Sequence, residues 1–364
     1  MKTPSTRHTV QQPALGSPAE RMPAGRERSD SGLLSIVGLP PFQPAPLIRG
    51  GAVQTIAAQV WPQWPDVRPT KTYKIDVTDG DRLVVMEYRP AGWAAGQRIA
   101  LLVHGLNGCY RSRYMIRIGR ELVRRGMLVV RVNMRGCGPG FGLARGFNHA
   151  GRTEDIRAVL RWLANPYAGS PTTLIGFSLG GNATLKMAGD DSQHPAGNLD
   201  SVVAISPPVD LTASARHIQL PENRFYDWYF ATECVRTVRH LHQRFPDMPA
   251  FRAPQRMRLF DFDDAFTAPR SGYRDAADYY AQSSSAPVIS DIRVPALILC
   301  ALDDPVVDTG TLEKMRGQTA LDMVLTHHGG HMGFLGRTGS RFGLRWMDAL
   351  VVNWIERMRR AGAG

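Results

Sequence analysis

The feature that most constrains this chain is a repeated alternation of short apolar segments with amphipathic helical segments. Apolar strands are predicted at RIALLVHG (98–105), MLVVRVNMRG (127–136), TTLIGF (172–177), LDSVVAISPP (199–208), PALILCALDD (295–304) and LDMVLTHHG (321–329). Segments between them, such as TEDIRAVLRWLAN (153–165), have apolar residues at helical spacing, and Thr153 is a plausible N-cap. Strands that are apolar throughout are typical of a parallel sheet covered on both faces. The sequence therefore predicts an α/β fold with a mostly parallel central sheet and helices on both sides.

Two segments depart from this alternation. YKIDVTDGDRLVVMEY (73–88) has two alternating runs around Asp79-Gly80, which favours an antiparallel hairpin. A long segment between two core strands is rich in aromatic residues and shows no strand pattern, so it predicts a helical lid insertion above the carboxyl ends of the strands. We divide the chain into a disordered N-terminal tail (1–40), a wrapping segment (41–70), a first core part (71–208), the helical lid insertion (209–290) and a second core part (291–364).

The stretch TLIGFSLGGNATLKMAG (173–189) places Ser178 at a predicted strand-to-helix turn. The pentapeptide GFSLG has the G-x-S-x-G form of a nucleophile elbow, which is weak evidence alone in a chain with 36 glycines. The strand before it and the helix after it supply the structural context, because a sharp turn holds the hydroxyl above the sheet. The helix N-terminus also offers N–H groups to a developing oxyanion. We therefore predict that Ser178 is a nucleophile rather than a structural turn serine.

A serine nucleophile needs a base, and the base needs a group that orients it. In one widespread chain order, an acid follows the serine and a histidine comes last. Asp303 and Asp304 lie at the end of a predicted core strand, and three histidines follow the next strand. The candidate bases are His327, His328 and His331. The order of residue types thus predicts a Ser-Asp-His triad.

The oxyanion of an acyl-transfer reaction normally receives two backbone N–H groups. One should come from the residue directly after the nucleophile, which is Leu179. The second should come from the loop after the first parallel strand, LLVHGLNG (101–108), and we assign it to Leu106. His104 in the same stretch is expected to shape this loop rather than to transfer protons.

Other patterns are weighed against cofactor and metal sites. His328 and His331 have H-x-x-H spacing, but the glycines between them break the helix that such a metal pair uses. DFDD (261–264) resembles a carboxylate cluster for a cation, although a structural or lid-positioning role is favoured. RGCGPGFG (135–142) lacks the full spacing of a dinucleotide-binding turn. We therefore predict no metal and no cofactor.

Composition and charge narrow the class of protein further. The formal net charge is +12, with 44 Lys and Arg against 32 Asp and Glu, and the basic residues are spread along the chain. Nucleic-acid binding is not expected from this spread, and weak peripheral contact with anionic lipid is the alternative to a solvated surface. The four cysteines form no C-x-x-C pair. No run approaches the roughly 20 apolar residues of a membrane span, so we expect a cytoplasmic protein.

These motifs together resemble the YheT-like α/β-hydrolases, a group that includes eukaryotic abhydrolase-domain lipases. The matching stretches are PFQPAPLIRGGAVQT, LLVHGLNG, VVRVNMRGCG, GFSLGGNATLK, AISPPVDL, DFDDAFTAPRSGYRDAADYYAQSS, PALILCALDDP and HHGGHMGF. The resemblance implies an α/β-hydrolase fold with Ser178 as nucleophile, Asp304 as orienting acid and His331 as base. One departure is visible, because Ala52 stands where the family's Gly-His-x-Gln-Thr stretch usually has histidine.

The resulting prediction is a serine hydrolase that cleaves carboxylic esters through an acyl-enzyme intermediate. The aromatic insertion suggests an apolar acyl group, and the resemblance implies short or medium acyl esters or lipid esters. A thioesterase or amidase that uses the same triad is an open alternative. So is a binding protein that has this scaffold without turnover.

Overall fold

An eight-stranded sheet lies at the centre of the structure, a computed structural model that describes residues 30–361 except positions 64, 255 and 320. The strands are β1 (Lys71–Asp76), β2 (Arg82–Tyr88), β3 (Ile99–Val103), β4 (Leu128–Asn133), β5 (Thr172–Phe177), β6 (Leu199–Ile205), β7 (Ala296–Ala301) and β8 (Asp322–Thr326). Their order is β1-β2-β4-β3-β5-β6-β7-β8. β2 pairs antiparallel with β1 and β4, and the other neighbours pair parallel. The predicted mostly parallel sheet is confirmed.

Helices cover both faces of this sheet. Their bounds are α1 (Asp30–Ile36), α2 (Gly51–Val60), α3 (Arg113–Arg124), α4 (Thr153–Ala164), α5 (Leu179–Asp190), α6 (Leu211–Ile218), α7 (Arg224–Arg244), α8 (Leu259–Phe262), α9 (Ala268–Arg270), α10 (Ala276–Ser283), α11 (Gly310–Met315) and α12 (Trp346–Ala361). Leu174 of β5 packs in one buried cluster with Ile156 of α4 and Leu185 of α5. The next residue, Ile175, packs in a second cluster with Leu350 of α12. Successive strand residues face opposite sides, which explains why β5 is apolar throughout.

The N-terminal boundary differs from the prediction. Residues 30–40 were expected in a disordered tail, but α1 is helical and its Leu33 and Leu34 side chains are buried. The side-chain amide of Asn353 in α12 also donates a hydrogen bond of 3.0 Å to the Val37 carbonyl. The expected tail is therefore wrong for these residues, because two leucines in a polar context find apolar surface on the core. Residues 1–29 of the expected tail lie outside the described residues.

Two local expectations have different outcomes. The Asp79-Gly80 turn joins β1 to β2 as expected, and both residues have a φ of 75°. Positive φ at both central positions is what a tight hairpin turn requires. Thr153, by contrast, is not an N-cap: it is the first residue of α4, Arg152 precedes it, and no side chain caps this end.

The segment between β6 and β7 contains helices α6 to α10 and no strand among its described residues, which are all of 209–290 except position 255. A π-helical turn, Asp263–Thr267, lies between α8 and α9. The insertion begins at the carboxyl end of β6 and leads to the parallel strand β7. Because β5 is also parallel to β6, the insertion begins at the sheet edge at which β5 ends. Within the described residues, no helix has the length and apolar character needed to cross a bilayer.

Candidate active site

Ser178 lies in a strained turn between β5 and α5. Its φ is 51°, in a region that residues other than glycine rarely adopt, and its N–H donates a hydrogen bond of 2.8 Å to the Ile205 carbonyl. A Cβ atom on Gly176 would lie 2.3 Å from the Gly180 carbonyl oxygen. A Cβ atom on Gly180 would lie 2.4 Å from the carbonyl oxygen of His104. Both glycines of the pentapeptide are therefore required by close backbone approach, as a nucleophile elbow demands.

A chain of hydrogen bonds joins the three residues that the family resemblance implies. His331 Nε2 lies 2.9 Å from Ser178 Oγ, and His331 Nδ1 lies 2.9 Å from Asp304 Oδ2. His331 is 5 % exposed and Asp304 is 2 % exposed, so water is largely excluded from the Nδ1 contact. The other oxygen, Asp304 Oδ1, accepts hydrogen bonds of 2.8 and 3.1 Å from the N–H groups of Val306 and Val307. These bonds fix the carboxylate so that it faces the imidazole.

The two neighbouring aspartates, Asp303 and Asp304, have different hydrogen-bond partners. Asp303 Oδ1 accepts a hydrogen bond of 2.9 Å from the Gly330 N–H, and its Oδ2 lies 3.2 Å from His328 Nδ1. Asp303 therefore holds the histidine loop, whereas Asp304 contacts the imidazole of His331. His327 and His328 are exposed, and neither contacts the serine.

The two residues predicted to supply oxyanion donors both border the serine. Leu106 and Leu179 line the same pocket as Ser178. The loop that carries Leu106 packs tightly against the elbow, since a Cβ atom on Gly105 would lie 3.0 Å from Ser178 Cβ. Within the described residues, the N–H groups of Leu106 and Leu179 donate no hydrogen bond to another protein group. Both donors are thus available to a ligand at the serine.

A pocket of about 980 Å³, counted to its open mouth, adjoins Ser178. Its walls are mostly apolar, and most of them come from the insertion between β6 and β7. The apolar side chains from that insertion are Leu211, Ala215, Ile218, Phe230, Val238, Leu259 and Phe262.

Comparison with known proteins identifies the family of this chain. The family model of the alpha/beta hydrolase fold matches residues 101–338 of the chain. The chain belongs to the α/β-hydrolase family. An Escherichia coli (strain K12) protein, YheT, whose name describes it as a candidate esterase, is 30% identical over 289 residues, which cover 78% of this chain and 83% of that protein. This similarity places the α/β-hydrolase in the YheT-like group, as its motifs indicate.

Two further comparisons extend this result. The monoacylglycerol lipase of Saccharomyces cerevisiae is 28% identical to this α/β-hydrolase over 266 residues, which cover 70% of this chain and 58% of the yeast protein. The structure of Est1E from Butyrivibrio proteoclasticus with bound ferulic acid has a TM-score of 0.51 and 15% identity, and the match covers 79% of this chain and 98% of that chain. At that identity the structural likeness shows the fold alone.

Sequence reasoning missed a pair of residues in α2 that hold the histidine loop of this α/β-hydrolase. The N–H of His331 donates a hydrogen bond of 2.8 Å to Thr55 Oγ1. Gln54 Oε1 accepts a hydrogen bond of 2.7 Å from the Leu335 N–H. Gln54 and Thr55 are the last two residues of the Gly-His-x-Gln-Thr stretch of the family. Ala52, which replaces the histidine of that stretch, is exposed. The motif resemblance marked this stretch but could not show what it contacts.

Two other polar groups near the site are inert for physical reasons. Burial lowers the pKa of His104 to about 4, so its imidazole is neutral. Its Nε2 accepts a hydrogen bond of 3.1 Å from the Met134 N–H, and its Nδ1 lies 2.7 Å from the Gly105 carbonyl, as a loop-shaping role requires. Burial raises the pKa of the pocket-lining Cys137 thiol to about 12, which opposes a reactive thiolate.

Proposed function

We propose that this α/β-hydrolase cleaves carboxylic esters by acyl transfer to Ser178. The observation that carries the proposal is the pair of 2.9 Å contacts from His331 to Ser178 Oγ and to Asp304 Oδ2. Nucleophile, base and orienting acid in hydrogen-bonded sequence form the arrangement that activates a serine hydroxyl. The two free N–H groups beside the elbow, those of Leu106 and Leu179, would stabilise the oxyanion electrostatically.

The chemistry follows from these contacts. Ser178 Oγ attacks the acyl carbonyl carbon while His331 Nε2 takes the hydroxyl proton. The buried Asp304 carboxylate stabilises the resulting imidazolium through Nδ1–H, and the N–H groups of Leu106 and Leu179 bind the oxyanion. The tetrahedral intermediate collapses, His331 gives its proton to the departing alkoxide, and an acyl-enzyme remains. Water then repeats the cycle, with His331 as base, and releases the carboxylic acid.

The pocket supports an apolar substrate. Its walls carry leucine, valine and phenylalanine side chains from the insertion, and burying an apolar acyl chain there is favourable by about 0.8 kcal/mol per CH₂ group. The yeast relative is named a monoacylglycerol lipase. We therefore propose esters with short or medium acyl chains, or lipid esters, as the substrate class.

A rate series over p-nitrophenyl esters from acetate to palmitate tests this proposal. Wild type should show an optimum at the chain length that fills the pocket, and Ser178→Ala should fall to the background rate. Ser290→Ala is the matched control, because Ser290 is exposed and does not line the pocket. Hydrolysis of none of these esters, or hydrolysis only of a matched thioester, would contradict the proposal.

A further inference from the structure

The three carboxylates of DFDD have different surroundings. Asp261 Oδ2 accepts a hydrogen bond of 3.2 Å from the Arg258 N–H, and Asp264 Oδ1 accepts one of 2.9 Å from the Ala276 N–H. Both of these aspartates therefore stabilise the backbone of the insertion. Asp263 instead lines the pocket beside Ser178. Within the described residues, no three or more acidic, histidine or cysteine side chains are grouped so that they could hold a metal ion, Asp263 included.

The Asp263 carboxylate is held in place but retains capacity to accept hydrogen bonds. Thr267 Oγ1 donates to its Oδ1 at 2.6 Å, and the Tyr280 hydroxyl donates to its Oδ2 at 2.8 Å. An ionised carboxylate has about four lone-pair positions, so each oxygen can accept a further donor. Asp263 is also the first residue of the π-helical turn, a local distortion that occurs frequently at functional sites.

The charge on Asp263 is not compensated by a cation. The pocket is lined by two charged side chains, Asp263 and Arg135. Arg135 is occupied elsewhere, since its guanidinium pairs with Asp155 at 2.9 Å and with Asp81 at 2.7 Å. Within the described residues, Asp263 forms no salt bridge. Desolvation accordingly raises its pKa to about 6, although Thr267 and Tyr280 lower it in part. A desolvated acid without a counter-ion costs stability, and such groups cluster at functional sites.

We propose that Asp263 binds a hydroxyl group of the ester substrate. The inference rests on the proposed ester hydrolysis and names the substrate class more closely. A hydroxyl donates one hydrogen bond to the carboxylate and brings no charge into a pocket whose other walls are apolar. A cationic group could also pair with the carboxylate, and the acetylcholine comparison below distinguishes that case from a hydroxyl. The hydroxyl belongs either to the alcohol part of the ester, as in a polyol ester, or to a hydroxylated acyl chain.

Matched ester pairs measure the contribution of the hydroxyl. On the alcohol side the pair is glycerol monobutyrate and propyl butyrate, and on the acyl side it is p-nitrophenyl 3-hydroxybutyrate and p-nitrophenyl butyrate. We expect wild type to prefer the hydroxylated member of one pair by about tenfold or more in kcat/KM, since a site built to bind a hydroxyl discriminates against its absence. The pair that shows the preference identifies which part of the ester carries the group.

Variants assign this preference to Asp263. Asp263→Asn and Asp263→Ala should both reduce the preference by about tenfold, whereas the neighbouring Asp264→Asn should keep it. Two variants are used so that a packing change specific to one of them is recognised. Equal preference in wild type and both Asp263 variants overturns the inference. A preference for acetylcholine over 3,3-dimethylbutyl acetate that is lost in Asp263→Asn also overturns it, in favour of a cation. Failure of wild type to hydrolyse p-nitrophenyl butyrate would instead contradict the proposed ester hydrolysis itself.

Discussion

The backbone N–H of His331 donates a hydrogen bond of 2.8 Å to the side-chain oxygen of Thr55, 276 positions earlier in the chain. Thr55 is buried and donates its own hydroxyl proton to the Gly51 carbonyl at 2.7 Å. The segment before the first strand therefore reaches the histidine of the candidate triad and fixes its backbone. Since near-attack geometry governs acyl transfer, this contact bears directly on the proposed activity.

Replacing Thr55 with valine should lower kcat for ester hydrolysis by about tenfold with a smaller change in KM. Valine keeps the volume but leaves the His331 N–H unpaired in a buried site, which costs about 1–3 kcal/mol. Thr55→Ser keeps the acceptor and should restore most of the rate. Steady-state kinetics on both variants, with melting temperatures, check this. Equal kcat in Thr55→Val and wild type would show that the contact does not position the base.

The two adjacent aspartates give a second prediction. Asp304→Asn should reduce kcat by up to about 10⁴-fold, because an amide favours the wrong imidazole tautomer and does not stabilise the imidazolium. Asp303→Asn should reduce it by less than about tenfold, since Asp303 contacts Gly330 and His328 rather than the base. Single-turnover and steady-state rates on the best p-nitrophenyl ester compare the pair. The opposite ranking would assign the orienting role to Asp303.

The elbow glycine Gly180 gives a third prediction. Gly180→Ala should destabilise the fold by about 1–3 kcal/mol or more, because its Cβ atom would meet the His104 carbonyl oxygen at 2.4 Å. Gly310→Ala is the matched control, since a Cβ atom there makes only an ordinary contact of 3.4 Å with Asp308. Urea unfolding of both variants measures the difference. Equal stability of the two variants would mean that the elbow is looser than its contacts indicate.

The half-buried pocket residue Asp263 predicts a dependence of stability on pH. The pKa of Asp263 is about 6 in the folded chain against an ordinary 3.8, so the folded state binds its proton more tightly. Its contribution to stability is therefore present below about pH 4 and is lost as pH rises through about 6. The nearby groups of Tyr279, Tyr280 and Cys234 do not change charge in this window, because burial raises the pKa of each further above it.

Asp263→Asn removes this titration. The melting temperature of the variant relative to wild type should therefore be higher at pH 7.5 than at pH 4.5. Thermal unfolding of both proteins at the two pH values gives this difference in melting temperature. The effects of other titrating groups largely cancel in it, because both proteins contain those groups. A difference that does not change between pH 4.5 and 7.5 would show that Asp263 is not desolvated in the folded chain.

Periodicity and local motifs sufficed for the sheet and for the elbow. Leu174 and Ile175 face different helical layers, so both faces of β5 are buried. The continuous apolar pattern of β5 was therefore sufficient to predict this. The choice of Asp304 over Asp303 needed the family resemblance, because both follow the same strand and their different partners depend on loop geometry. Their placement agrees with that resemblance, whereas their catalytic roles remain a proposal.

Long-range contacts were beyond the reach of sequence patterns. The hydrogen bonds of Thr55 and Gln54 join α2 to a loop near the other end of the chain, and no local spacing encodes that pairing. The same reason explains α1, whose Leu33 and Leu34 stand in a polar context and become buried only against distant core residues. Asp263 was assigned with its neighbours to a structural cluster, because sequence alone does not show which carboxylate faces a pocket.

Fluorophosphonate labelling followed by peptide mapping is the most direct test that Ser178 is an activated nucleophile, because the probe reacts with serines that a neighbouring base activates. We expect a single adduct on Ser178 in wild type and in the exposed-serine control Ser290→Ala, and no adduct in Ser178→Ala. His331→Ala should label at a rate reduced by orders of magnitude. Absence of labelling in wild type, or equal labelling of Ser178→Ala, would show that Ser178 is not an activated nucleophile.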